Sequence, residues 1–480
     1  MVNRAVFLSL VVMAVVVFIF GCSGKTGNNQ RFPGNLFGWR GNDVTDDRIF
    51  TNPSDENVFK IVTGSSNAFQ SIRRFKNGYV LAGVSGQREK SFLTVILTDN
   101  NLVHKKEMNI EGINFITYNW SGFKDIEVFS GSESIWIAGL FNSGDSTDHH
   151  RAFIIQLDGN LEIRYSKLLD TAFTVDAVNF FAKGSNRYLI HDAAYSDSIG
   201  GFLLNSLNSS GNIIKTVNID PSESVFLSDV FFLDDAIYAS ARSAIDSTVS
   251  FFYRVSYSGK LLWKLSLDIQ SVVTTAYRAK DGVIVTTVDG MILKIDNSGK
   301  LRSSLKVIAH SDDLLKDFGV GTINNLLSYY RISYSSRNQQ RTILETGFIN
   351  DDLSVSKSSY LNIPAKLSFV NLFIDRNLYF LIGTIDLSNN SVDNATDLEQ
   401  YYGCSYLLKA TLDSNVQKPP KLEKVEFEIE KVGFSMEAVI TLTTKDLPYK
   451  TINNVTVISN GFPSSSDIKH NLIENINGNL

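Results

Sequence analysis

Cysteine is nearly absent from this sequence of 480 residues, where Cys22 and Cys404 are the only two. A basic excess is missing as well. Lys and Arg number 45 against 50 Asp and Glu, a formal net charge of -5, so there is no positive field to hold a nucleic-acid backbone. The sequence contains no Gly-x-Ser-x-Gly elbow, no His-Glu-x-x-His pair and no glycine-rich turn leading into a convincing helix. Those absences remove three common routes to catalysis, through a serine nucleophile, a zinc-bound water and a phosphate loop. The apolar run Ala5 to Phe20 spans 16 residues and contains Ser9. That is short of the roughly 20 needed to cross a bilayer as a helix, so a permanent transmembrane anchor is the weaker reading.

What the sequence does hold starts at that run. Met1 to Arg4 carries one basic side chain ahead of the apolar stretch, the layout of a secretion signal. The run ends in Ile19-Phe20-Gly21-Cys22, which resembles the lipobox of bacterial lipoprotein signals: an aliphatic residue, a variable one, a small one and the lipidated cysteine. The resemblance implies that residues 1–21 are a signal peptide and that Cys22 carries fatty acyl chains such as palmitate. It further implies an extracytoplasmic protein held on the cell membrane or outer membrane. Each buried methylene adds about 0.8 kcal/mol, so several chains hold firmly. With Cys22 acylated, no intramolecular disulfide is left, and Cys404 is a lone thiol, a residue type usually found as a small buried hydrophobe. Residues 22–57 are rich in Gly, Asn, Asp and Pro and read as a flexible tether.

Apolar residues make up 43% of the chain and charged ones 20%, enough for a large core and too apolar for wholesale disorder. One unit recurs: an apolar strand, a polar turn of Asp, Asn, Ser or Gly, then an apolar residue. Copies close at Leu102, Leu161, Ile213, Leu261, Leu301, Leu353 and Val416, spaced 40 to 63 residues apart. Gly, Asn and Asp reach positive φ cheaply, as a hairpin turn requires. Two further apolar stretches precede the strand, as in Phe69 to Phe75 with Tyr79 to Gly83, and Phe123 to Phe129 with Ile135 to Gly139. Four strands per unit make a propeller blade. The expected fold is all-β, a seven-bladed β-propeller of four-stranded antiparallel blades over residues 58–431, with eight blades as the alternative. Small residues at matching places, Ala82, Gly83, Ala138, Gly139, Ala239 and Ser240, fit crowding between neighbouring sheets. Residues 432–480 hold strand-like Ala438 to Thr443 and Val455 to Ile458, read as an extra hairpin, a small cap or the piece that closes the ring, ahead of a frayed tail.

Ser258-Gly-Lys-Leu-Leu-Trp263, followed by Asp281 to Lys300, resembles the repeats of quinoprotein-like (PQQ-like) propellers. His104, Ile163, Lys215 and Ser303 replace the tryptophan at equivalent places, so no quinone cofactor is implied. The His-dense segment Asp145-Ser-Thr-Asp148-His149-His150 is a candidate for metal capture, weighed against a solvated loop tip because its spacing matches no standard motif. Asp125 and Asp229, in corresponding places near the first strand of their units beside Ser71 and Thr275, are candidates for one ring of polar groups at the central channel, weighed against a wet structural channel. Tyr329-Tyr330 and Tyr401-Tyr402 suit either sugar stacking or packing between blades. No catalytic, cofactor or metal residue is assigned. The expected function is a non-catalytic binding or scaffolding propeller for an envelope protein or polysaccharide, tied to the membrane through its lipid and to no nucleic acid. The alternative is an enzyme with a site at the channel mouth, quinone-dependent or carbohydrate-active.

Overall fold

The computed structural model describes residues 50–51 and 57–460 except for connecting segments, of which 113–122, 143–149, 193–199, 386–404 and 412–421 are the longest. Cys22 and Cys404 lie outside the described residues. Backbone contacts divide the chain into Met1–Asp46 and Asp47–Leu480, and all described residues belong to the second unit.

Two short strands come first, β1 (Phe50–Thr51) and β2 (Val58–Val62). Blade 1 is β3 (Ser66–Phe75), β4 (Gly78–Gln87), β5 (Lys90–Asp99) and β6 (His104–Gly112). Blade 2 is β7 (Phe123–Ser130), β8 (Ser134–Asn142), β9 (His150–Asp158) and β10 (Ile163–Asp170). Blade 3 is β11 (Val178–Lys183), β12 (Asn186–Asp192), β13 (Phe202–Leu207) and β14 (Ile213–Ile219). Blade 4 is β15 (Val225–Phe232), β16 (Ile237–Ser243), β17 (Val249–Val255) and β18 (Leu261–Asp268). Blade 5 is β19 (Val273–Ala279), β20 (Gly282–Thr287), β21 (Met291–Asp296) and β22 (Leu301–Val307). Blade 6 is β23 (Asp313–Ile323), β24 (Leu326–Ser335), β25 (Thr342–Ile349) and β26 (Val355–Ile363). Blade 7 is β27 (Leu367–Asp375), β28 (Leu378–Ile385) and β29 (Ser405–Thr411), with β2 as its fourth strand.

The first strands of successive blades touch in an unbroken cycle, from β3 through β27 and back to β3, so they line the axis. The fold is the all-β, seven-bladed propeller read from the repeat, and no eighth blade exists among the described residues. Each core joins two neighbouring blades. Val80 and Val95 of blade 1, for example, meet Ile137, Phe153 and Ile155 of blade 2. A strand inside a blade is therefore covered on both faces, and every residue of β20, Gly-Val-Ile-Val-Thr-Thr, is buried. Such strands read as continuous apolar runs instead of alternating ones. Ala82, Ala138, Ala239 and Ser240 are fully buried on second strands, where the sheets crowd.

The hairpins between third and fourth strands share one geometry. Asp99, Asp158, Asn208 and Asp296 each accept, through a side-chain oxygen, the N–H groups two and four residues on. Three residues after the turn opens, the backbone is left-handed at Leu102, Leu161, Gly211, Gly259, Gly299 and Leu353. A leucine pays roughly 1–2 kcal/mol for that conformation. Each of the three leucines is buried, which returns about 1.5–3 kcal/mol and so tolerates the strain.

Two charged groups sit inside the fold. Lys264 Nζ lies 2.9 Å from Asp220 Oδ2 and 2.8 Å from Glu223 Oε1. Arg331 Nη2 lies 2.9 Å from Glu345 Oε2, and Tyr329 donates its hydroxyl hydrogen to Glu345 Oε1 at 2.7 Å.

Beyond the fourth strands the chain does something the repeat does not announce. The C-terminal segment forms β30 (Leu422–Lys424), β31 (Ile429–Lys431), β32 (Ala438–Ile440), β33 (Thr443–Asp446), β34 (Tyr449–Ile452) and β35 (Val457–Asn460). These pair antiparallel with the outer strands of blades 5, 4, 3, 2, 1 and 7 in that order. Blade 6 receives β1, parallel to β26. The stretches read from sequence at 438–443 and 455–458 are parts of this belt, and neither pairs with the other as a hairpin. β35 does join the closing blade, on the outer side of β2.

Candidate site at the propeller axis

Six of the seven first strands carry a shift in register against their second strand, a β-bulge that bends the strand and re-aims its side chains. Pairing resumes at Ser71, Glu127, Asp229, Thr275, Asp317 and Asn371. The neutral members tie blades together. Val128 N–H donates to Ser71 Oγ at 3.1 Å, Ile126 N–H to Gln70 Oε1 at 2.7 Å and Val320 N–H to Thr275 Oγ1 at 2.8 Å. Nearer the blade ends, Phe69 N–H donates to Ser405 Oγ, Val273 N–H to Ser240 Oγ and Leu367 N–H to Thr342 Oγ1.

The carboxylates stand on alternate blades: Glu127 on blade 2, Asp229 on blade 4 and Asp317 on blade 6. Asp229 and Asp317 each accept the N–H of the following residue at 2.8 Å. Burial holds the Asp229 carboxyl well above the usual carboxylate range, and the negative charge of Glu127 and then Asp317 adds to it. Burial also raises Asp317, opposed by the Phe318 N–H and the Tyr330 hydroxyl. Arg73 is drawn down by burial and up by Glu127, and its guanidinium lies 5.0 Å from the ring centroid of Phe373. Gly319 faces Tyr330 across β23 and β24, and a Cβ at 319 would lie 2.5 Å from the tyrosine ring. The axis therefore offers carboxyl groups, two of them pushed above their usual range, beside an arginine and a buried phenol. Among the described residues, no group of three or more His, Cys, Asp or Glu side chains is placed to hold a metal ion.

Asp229 lies where pairing resumes on β15. Asp125 falls inside the shift between Lys124 and Glu127, and its side chain is outside the described residues. By pairing, Glu127 is the counterpart of Asp229. The bulge adds a residue that strict strand alternation does not count, and this hides Glu127 from the sequence. Asp317 and Arg73 carried no distinguishing signal, and Tyr330 stood out only as one of the Tyr329-Tyr330 pair, although glycine opposite tyrosine hints at a ring lying flat on backbone. Tyr329 packs in the core between blades 5 and 6 and Tyr330 in the one between blades 6 and 7, so this pair packs between blades, and Tyr401-Tyr402 lies outside the described residues.

Asp145, Asp148 and His149 are outside the described residues too. His150 opens β9, with Nδ1 at 3.8 Å from Asp176 Oδ1 and its carbonyl accepting from Val175 N–H. The Asp176 and Ala177 N–H groups donate to Asp192 Oδ1 at 2.9 and 3.2 Å. Beside Asp192 is His191, whose Nδ1 meets the Asp192 carbonyl at 2.7 Å while its Nε2 has no hydrogen-bond partner among the described residues. Burial pushes His191 down to about 4 and Asp192 up to about 6.

The two shifts act oppositely on stability. Between pH 6.5 and 4 the unfolded chain protonates His191 while the fold does not, so this term is lost as pH falls, about 3 kcal/mol in all. Between pH 3.8 and 6 the fold keeps Asp192 protonated while the unfolded chain does not, so this term of similar size is lost as pH rises. The expected result for Asp192→Asn is an unopposed histidine term, a loss of about 3 kcal/mol from pH 6.5 to 4 in chemical denaturation. A variant whose profile parallels wild type would refute the assignment.

No protein-family model and no curated protein sequence matches this chain. Among solved structures, the fold is similar to that of BamB from Moraxella catarrhalis, at 12% identity over 71% of this chain and 85% of that one, TM-score 0.39. It is also similar to BBS1N, solved in complex with ARL6DN, at 11% identity over 72% and 94%, TM-score 0.42. A third is the polysaccharide lyase Uly1, at 12% identity over 72% and 90%, TM-score 0.41. These likenesses extend to the propeller fold alone.

Proposed function

We propose that this chain is a lipid-anchored extracytoplasmic propeller that binds an envelope protein as a scaffold, held at the membrane through Cys22. One observation carries the binding reading. Connections between second and third strands, and between blades, lie on one face of such a meander. On that face of blades 4, 5 and 6 stand Ile245, Val288 and Leu314, exposed by 86%, 38% and 64%. Their turns are firmly built where described. Ser243 Oγ accepts the N–H groups of Ile245 and Asp246, Asp246 Oδ1 accepts from Thr248, and Thr287 Oγ1 accepts from Met291 N–H. Exposed apolar side chains on three neighbouring blades, two of them on built turns, suit a protein partner better than a polysaccharide. The sequence Ile19-Phe20-Gly21-Cys22 supports the anchor.

The test places a photocrosslinking residue at Ile245 or Leu314, and in parallel at Asn101 on the opposite face, in intact cells. A protein adduct from the first two and none from Asn101 is expected, and equal adducts from both faces would defeat the binding reading. Cys22→Ala is expected to abolish fatty-acid labelling and release the protein from membranes; retained labelling would defeat the anchor. A second reading rests on Asp229, whose carboxyl is pushed well above the usual range by burial and by the charges of Glu127 and Asp317, a perturbation of the kind found at acid–base sites. Turnover of envelope sugars that is lost in Asp229→Asn is its test.

A further inference from the structure

We propose that the C-terminal belt is a clasp that docks on a completed ring and sets how slowly that ring opens. The blade strands themselves end at Thr411, with blade 7 already closed by β2 against β29. The belt then runs over the rim in the reverse of blade order. As it passes from blade to blade it places an apolar side chain against each core it crosses. Ile429 packs on the core between blades 4 and 5, Val432 between 3 and 4, and Leu442 between 2 and 3. Leu447 enters the core between blades 1 and 2, and Ile458 the one between 7 and 1.

Polar contacts fasten these plugs. Val432 N–H donates to the Lys264 carbonyl at 3.2 Å and Leu447 N–H to the Ser166 carbonyl at 3.1 Å. Leu261 N–H donates to Glu437 Oε1. Lys167 Nζ meets Asp446 Oδ1 at 2.6 Å, and Lys445 Nζ meets Asp170 Oδ1 at 3.2 Å. Blades 1 and 2 cannot separate without uncovering the buried Leu447, and the other four side chains lie partly buried against the seams they cover. The belt strands are three or four residues each and border solvent, so they hold little structure before a ring exists to receive them. Contacts made after the rate-limiting step slow unfolding and leave folding untouched. In a chain with two cysteines, the strap does work that cross-links perform elsewhere.

The experiment uses the full chain. Leu447→Ala is expected to unfold about thirty-fold faster or more in denaturant jumps, with a refolding rate within about two-fold of wild type. Val432→Ala should show the same asymmetry at smaller size. Hydrogen exchange on the unaltered protein supplies an independent reading: belt amides such as Thr451 and Lys445 should exchange together, ahead of Leu81, Ile137 and Leu293 in the blades. Refolding slowed in step with the loss of stability, an unchanged unfolding rate, or belt and blade amides exchanging as one would each overturn the proposal.

Discussion

Lys264→Met is expected to destabilise the fold by about 3–5 kcal/mol, read as a lowered denaturant midpoint. The lysine is 1% exposed and its partner Asp220 is fully buried. Its ammonium also lies 4.1 Å from the ring centroid of Phe251. Methionine keeps the stem and its packing, so the loss comes from removing the buried cation that faces Asp220 and Glu223; the Tyr253 hydroxyl lies 3.5 Å from Asp220 Oδ2. Neutralising the buried carboxylate that faced the ammonium should therefore repair most of the damage. The double variant Lys264→Met with Asp220→Asn is expected within about 1–2 kcal/mol of wild type. Asparagine also accepts the left-handed backbone that Asp220 adopts, with φ at 55°. A single variant within 1 kcal/mol of wild type would mean that the ion group adds little.

The neighbouring residue on β18 points the other way and holds the next seam. Trp263→Ala is expected to cost about 3–5 kcal/mol, the range for truncating a buried aromatic. The indole packs against Tyr238 and Phe252, with ring centroids 5.8 and 5.7 Å away. Its Nε1–H reaches across to the Asn297 carbonyl of blade 5 at 3.2 Å. Trp263→Phe should cost only about 1 kcal/mol, because Arg254 Nη1 still donates to that carbonyl at 2.7 Å. Equal losses for alanine and phenylalanine would show that the hydrogen bond, and not the packing, is what matters.

The blades were legible because two signals coincide: apolar runs of strand length, and a turn chemistry that recurs once per blade. In blades 1, 2, 3 and 5 the Asp or Asn opening the turn is the same side chain that caps it in the structure, as at Asp99, Asp158 and Asp296. Even so, the closing residue does not mark one place. Leu102, Leu161 and Leu353 sit at the left-handed position, whereas Leu261 and Leu301 follow a glycine there by two residues. Apolar identity alone does not separate a residue tucked beneath a turn from one that begins the next strand.

The bulged first strands were not legible residue by residue. Each bulge offsets the alternation on which facing is inferred, which is why Asp125 stood in for Glu127. The belt strands were recognisable as strands between 438 and 458, but three or four residues carry no period that would say which sheet they join. Buried charge is the least visible of all. Nothing in Leu-Leu-Trp-Lys-Leu distinguishes an internal lysine from a solvated one, since its partners Asp220 and Glu223 come from the connection before β15.

The placement of β2 has a consequence for the order of assembly. It is among the first ordered stretches to be synthesised, yet its partners are Ser405 to Leu408 on one side and Val457 to Asn460 on the other. Bringing ends that far apart together costs about 5 kcal/mol of chain entropy before any contact repays it. A nascent chain must hold Val58 to Val62 unmated until almost the whole polypeptide has emerged, so maturation follows completion of synthesis and is slow. Premature truncation anywhere before residue 405 leaves this segment as a bare, adhesive edge.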